Sequence, residues 1–180
     1  MMQNGGYRFN WSKALCRAVA SVVLAAGLTF TVASLQAQEQ VAEVAGPFAA
    51  LAGNWSGTGI IRTKEGAQER IRCRGSYDVG EGARNLRQVL RCASDSYNFD
   101  LNTDMTQIGG QLAGNWIENT RHVAGKISGQ ATPTTIRARA DGDTFTALLS
   151  VNTHGDRQSV SILSPGAEIS EVSIALTRGR

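Results

Sequence analysis

"ERIRCRGSYDVGEGARNLRQVLRC", residues 69–92, decides the fold of this chain. In its first half Ile71, Cys73, Gly75, Tyr77 and Val79 alternate with Arg70, Arg72, Arg74, Ser76 and Asp78. A period of two sorts these residues onto the two faces of a β-strand, whereas a helical period would mix them. If strands 68–79 and 85–93 form a hairpin turning on Gly82 and Ala83, residues whose numbers total 165 lie opposite one another. Cys73 and Cys92 meet that condition, and the same register sets Val79 beside Leu86, Tyr77 beside Gln88 and Gly75 beside Leu90. Opposed residues lie about 4.5 or 5.5 Å apart at Cα, within the span of a disulfide. Hairpin and disulfide therefore predict each other. Closing a loop of about 20 residues would stabilise the fold by roughly 3 kcal/mol in the chain-entropy account.

The same alternation continues along the chain. It predicts strands near 54–63, 68–79, 85–93, 95–103, 111–119, 122–130, 134–140, 143–152, 157–164 and 168–178. The connections, among them "TKEG", "GEGA", "QIGG" and "NTHGD", are mostly hairpin-sized. Before the first strand, "PFAALAG" predicts one short helical turn between Pro47 and Gly53. A long antiparallel meander removes its exposed edges by closing on itself. The expected fold is all-β: an up-and-down meander closing into an 8–10-stranded barrel, one domain over residues 47–180.

Residues 1–37 read as a secretory signal peptide, with Arg8, Lys13 and Arg17 ahead of an apolar run from Ala18 to Ala33. Cleavage is expected after Ala37, with the position after Ser34 as the alternative. Residues 38–46 read as a flexible linker. The apolar run is short for a spanning helix and has no basic flank on its far side, so no membrane span is expected after cleavage. Export predicts a periplasmic or secreted protein, in which the remaining cysteine pair, Cys73 and Cys92, forms a disulfide by default. Three of the 18 Lys and Arg lie in the leader, leaving 15 against 15 Asp and Glu. A neutral mature chain gives no electrostatic footprint for nucleic acid.

Few residues carry chemistry. His122 and His154 are the only histidines, and no GxSxG, HExxH, P-loop or CxxC pattern occurs. No enzyme, metal site or cofactor is expected. Asn54-Trp55-Ser56 matches a glycosylation sequon but overlaps the start of the first strand. The polar face of the hairpin collects Arg70, Arg72, Arg74, Arg87 and Arg91. Arg70 would face Asp95 and Asp78 would face Arg87, while Arg74 faces Arg91, a like-charge pair that costs stability unless an anion is shared. This face is either a solvated outer wall or a surface for an acidic partner.

"GNWSGTG", residues 53–59, resembles the opening of lipocalins and the wider calycin group, with Gly-x-Trp at the start of the first barrel strand. The resemblance implies that Trp55 plugs one end of the barrel beneath an arginine from the last strand, for which Arg178 in "VSIALTR" is the candidate. Gly53, Trp55, Gly57 and Gly59 are also similar to the opening of nitrobindin-type haem barrels, whose haem-ligating histidine has only His154 as a counterpart here. The leader, the Gly-x-Trp opening and the cysteine pair together resemble small exported bacterial barrels of unknown function. An early Gly-x-Trp with one disulfide also occurs in exported protease-inhibitor barrels.

The pentapeptide "LAGNW" occurs twice, at residues 51–55 and 112–116. Duplication would keep the downstream residues in step, but Ile71 of "IRCR" lies 16 residues after Trp55 and Ile136 of "IRAR" 20 after Trp116. The repeat reads as two structural plugs, Trp55 closing the barrel and Trp116 packing across it. The expected inward set includes Ile71, Leu90, Phe99, Leu101, Ile127, Phe145, Leu149, Ile162, Val172 and Ile174. It would fill an eight-stranded interior, whereas ten strands would leave a cavity. The leading expectation is a non-catalytic barrel binding a small apolar ligand in its interior. The alternatives are an envelope protein-interaction module using the arginine face, as a protease inhibitor or assembly factor, and a haem barrel. Oligomeric state is not legible.

Overall fold

The computed structural model describes residues 45–179. The leader, the cleavage positions and most of the linker fall outside them. Ten strands follow a short 3₁₀ turn at Ala49–Leu51: β1 (Gly53–Thr63), β2 (Gln68–Val79), β3 (Asn85–Ala93), β4 (Asn98–Ile108), β5 (Gln111–Glu118), β6 (Val123–Ala131), β7 (Thr135–Gly142), β8 (Thr146–His154), β9 (Arg157–Leu163) and β10 (Ile169–Arg178). Each pairs antiparallel with its chain neighbours, and β1 pairs with β10, so the sheet closes into a barrel without a free edge.

The strands obey the alternation that predicts them. In β2, Ile71, Cys73, Gly75 and Tyr77 are buried while the intervening residues face solvent. The predicted hairpin register is observed, with Cys73 opposite Cys92, Val79 opposite Leu86 and Gly75 opposite Leu90. The disulfide forms across a Cα separation of 4.1 Å. Gly82 (φ 68°) and Ala83 (φ 51°) supply the left-handed turn.

Two strands start three residues later than predicted. β4 begins at Asn98 because Ser94 N–H bonds the Tyr97 carbonyl and closes a turn over 94–97 (2.8 Å). It then runs on to Ile108, where Gly109 (φ 58°) and Gly110 (φ 85°) reverse the chain. β8 begins at Thr146 because Gly142 N–H bonds the Phe145 carbonyl (3.0 Å).

Closure depends on close approach between β1 and β10. Gly57 and Gly59 face inward beside Leu176 and Ile174, and a Cβ on either would collide with a carbonyl oxygen of β10. The Gly-x-Trp-x-Gly-x-Gly opening is thus a requirement of the seam: two of its glycines let the strands meet.

The two ends of the barrel differ. The turns β2–β3, β4–β5, β6–β7 and β8–β9 share one end with the start of β1. Residues 46–52 are drawn across it, with Gly46 N–H bonding the Gly82 carbonyl and Phe48 N–H the Ala83 carbonyl, both at 3.1 Å. Phe48 and Leu51 are buried there. Gly46, the last residue of the expected linker, is itself buried, so the plug begins earlier than the composition predicts. The opposite end carries the β1–β2, β3–β4, β5–β6, β7–β8 and β9–β10 turns.

Candidate functional site

The closed end is organised by Trp55 and Arg178, the pair expected from the Gly-x-Trp resemblance. They are register partners across the seam. The Arg178 guanidinium lies 4.3 Å from the Trp55 ring centroid, a cation–π geometry. It donates to the Ala50 carbonyl (2.6 Å), the Ala52 carbonyl and the Asp156 carboxylate (3.1 Å). The Trp55 indole N–H donates to the Leu51 carbonyl (2.7 Å). One guanidinium thereby ties the 3₁₀ turn, β10 and the β8–β9 turn together. Tyr77 packs edge-on against Trp55 and donates to Gln158 (2.8 Å), which donates to Thr153 (3.2 Å). Burial raises the Tyr77 pKa, and the bond to Gln158 opposes that only in part.

Beyond this plug the interior is hollow. A cavity of about 340 Å³ occupies the half of the barrel nearer the other end, at the lower end of the ~300–1,000 Å³ typical of small-molecule sites. Its walls are Ile71 and Leu90 on one side, Ile127 and Leu149 across from them, Ile162 and Ile174 near the seam, and the aromatic rings of Phe99, Trp116 and Phe145. Ten strands built from the modest inward set do leave a void, as strand number alone predicts.

Trp116 is part of the cavity wall, which corrects the expectation that it plugs the barrel. β5 runs away from the plugged end, so Trp116 sits near the far end of its strand while Trp55 sits near the plugged end of β1. Its indole N–H donates to the Lys126 carbonyl (3.2 Å), and its ring packs on Phe145 (centroids 5.6 Å apart). Gly125 makes room: a Cβ there would meet the indole at 2.9 Å.

The rim is polar. Arg121, Ser164, Ala167 and Glu168 line the cavity where it reaches the β5–β6 and β9–β10 turns. Glu118, buried just below, accepts the N–H groups of Asp100 (2.8 Å), Thr120 (3.2 Å) and Arg121 (2.8 Å) and the Thr120 hydroxyl. Burial pushes its pKa upward, but these bonds outweigh it and hold the carboxyl below its ordinary value. Arg121 stacks over Phe99 (4.7 Å to the centroid) and donates to the Asn98 carbonyl (3.1 Å). The hydrogen bonds of Glu118 and its ion pair with Arg121 have no signal in the sequence, since neither residue belongs to a recognisable motif.

The arginine face is exposed, and its partners differ from expectation. The β2–β3 ladder ends at Arg72 and Ala93, so Arg70 does not face Asp95; it lies opposite Ile60 of β1. Arg74 does face Arg91. The strain of that pair is relieved by β4, whose alternation brings Asp100 to Arg91 (3.3 Å) and Asp104 to Arg87 (3.0 Å). Asp104 raises the Arg87 pKa. Arg70, Arg72 and Arg74 make no ion pair with any described residue, leaving a cationic ridge confined to β2.

Neither histidine lines the cavity. His154 ends β8 at the plugged end and is exposed; His122 is exposed in the β5–β6 turn at φ 55°. The residues therefore do not fit the haem reading, which requires His154 as axial ligand.

The fold is a closed antiparallel meander barrel, plugged at one end by a Trp–Arg pair and hollow toward the other, the form that the Gly-x-Trp resemblance implies. No family model matches the sequence, and no curated protein matches it. Among solved structures the chain is similar to Rv2717c from M. tuberculosis, with a TM-score of 0.59 and 15% identity over 73% of this chain and 94% of that one. It also aligns with the S-type phycobiliprotein lyase CPES from Guillardia theta (TM-score 0.48, 10% identity, 74% of this chain and 90% of that one). The likeness to Rv2717c concerns the fold. Among the described residues no helix is long and apolar enough to cross a membrane.

Proposed function

We propose that this protein is a non-catalytic carrier or receptor that takes a small, largely apolar molecule into the barrel, and that it works in the periplasm or outside the cell. The observation that carries the reading is the 340 Å³ cavity with hydrocarbon and aromatic walls. Its polar lining is Thr103, Ser164, Glu168 and the mutually paired Glu118 and Arg121. The leader pattern and the disulfide support export. The test uses N-phenyl-1-naphthylamine, whose emission rises in apolar surroundings. Saturable enhancement is expected with the native protein, together with loss of at least tenfold in affinity on Ala147→Trp, which fills the void. An unenhanced probe, or an Ala147→Trp variant that folds and binds normally, would overturn the reading.

A second reading is favoured by the β2 ridge, where three arginines lack acidic partners while Arg87 and Arg91 have theirs. Guanidinium groups suit planar carboxylates, so the ridge supports docking of an acidic envelope protein. Replacing Arg70, Arg72 and Arg74 by Ser should remove any partner recovered by pull-down from the native periplasm while N-phenyl-1-naphthylamine binding is retained. Recovery of the same partner by the triple variant would reduce the ridge to a solvated wall.

A further inference from the structure

Two hydroxyls of the cavity lining, those of Thr103 and Ser164, have no hydrogen-bond partner among the described residues, and Thr103 is the one set away from the rim. Thr103 lies at the middle of β4 on its inward face, is 4% exposed, and lines the cavity. Its hydroxyl forms no hydrogen bond with a described residue, yet it is not among the side-chain oxygens sealed away from all access. Its register neighbours are Gln88 and Trp116. Trp116 commits its N–H to Lys126, and Gln88 shares the inward face without lining the cavity. A buried hydroxyl in hydrocarbon surroundings is costly unless it is bonded.

The charged groups near the cavity are at its rim, and two are already engaged. Glu118 has its hydrogen bonds filled, and Arg121 is shared between Glu118, the Asn98 carbonyl and the Phe99 ring. Glu168, the remaining charged residue of the lining, would repel an anion. An ionised group carried inward to Thr103 would find no counter-charge among the lining residues around it, and a charge in such a place bears its desolvation cost unpaired.

We propose that the cavity selects a compact, uncharged molecule bearing one hydrogen-bonding oxygen on a hydrocarbon frame, such as an alcohol, phenol or ketone, and that this atom meets the Thr103 hydroxyl. The inference rests on the interior-binding reading and narrows it to a chemical class.

Calorimetric titration with naphthalene, 1-naphthol and 1-naphthoate, three probes of one shape, tests it. A single neutral hydrogen bond predicts that 1-naphthol binds about five- to tenfold tighter than naphthalene, with 1-naphthoate weakest. Thr103→Val keeps the branched shape and the strand preference. It should bring 1-naphthol down to the affinity of naphthalene and leave naphthalene unchanged. Thr103→Ser, which keeps the hydroxyl, should keep the preference. The inference is overturned if the preference is absent, survives in Thr103→Val, or is reversed toward 1-naphthoate, even though the cavity reading then stands. Failure of both naphthalene and 1-naphthol to bind the native protein overturns the two together.

Discussion

At the scale of single residues, Arg178 does more than any other side chain to hold an end of the molecule. It touches the Trp55 ring, two carbonyls of the segment crossing the barrel end, and Asp156. A charge-assisted hydrogen bond contributes about 1.5–3 kcal/mol and a cation–π contact about 0.5–2 kcal/mol, and these contributions are not additive here because they share one group. Arg178→Ala is expected to cost about 2–4 kcal/mol, read from the urea midpoint. Arg178→Lys should recover less than half of it, since a point charge cannot replace a planar fork with several donors. Equal stability of the two variants would mean that charge alone holds the plug. Trp55 and Arg178 are legible in the sequence through the resemblance of the Gly-x-Trp opening, which implies an arginine at the end of the last strand. Thr103 is not, because an unremarkable Thr in an alternating strand acquires meaning only when the space before it proves empty.

At the scale of elements, the β5–β6 turn shows a carboxylate acting as a cap. Glu118 gathers the N–H groups of Thr120 and Arg121 beneath the rim, and its pKa lies below the ordinary 4.5. A carboxyl whose pKa is depressed by folding contributes stability that is fully present above its unfolded value and lost as pH falls through the folded value. The native protein should therefore loosen at this turn as the pH drops below about 4.5, seen as a change in Trp116 emission. Glu118→Gln should show less of that acid-side change and a lower stability at neutral pH. If the two proteins respond alike to acid, other carboxylates control the turn.

The elements also show where pattern reading stops. β2 and β3 are legible to the residue because a disulfide and an alternation have to agree. β4 is displaced because "SDSY" closes its turn with backbone bonds that no alternation announces. The ion pairs of Arg87 and Arg91 escape the sequence for the same reason: their partners lie on β4, whose bounds the alternation misplaces. The two copies of "LAGNW" show context overriding local sequence. Leu51 belongs to a 3₁₀ turn whereas Leu112 lies within a strand, and the two copies share strand structure only from the glycine onward.

At the scale of the whole molecule, class and strand order follow from the sequence, because ten alternating segments with short turns admit few arrangements. The hollow interior follows only as an alternative tied to strand number. Its location and its selectivity are not legible there, since they depend on which inward residues are small and on where the plug stops. The seam between β1 and β10 also sets the order in which the barrel can assemble. It joins Trp55 to Arg178 and Ser56 to Thr177, and the bond from Arg178 to Ala52 likewise spans 126 positions of sequence. Every other ladder can form as each hairpin becomes available, but this one cannot form until the final strand is complete. Contacts of such long separation slow folding, and until closure the sheet keeps two unpaired edges open to other chains. Quality control of this protein, in any compartment, is therefore concentrated in the interval before its last strand, ten residues long, is in place.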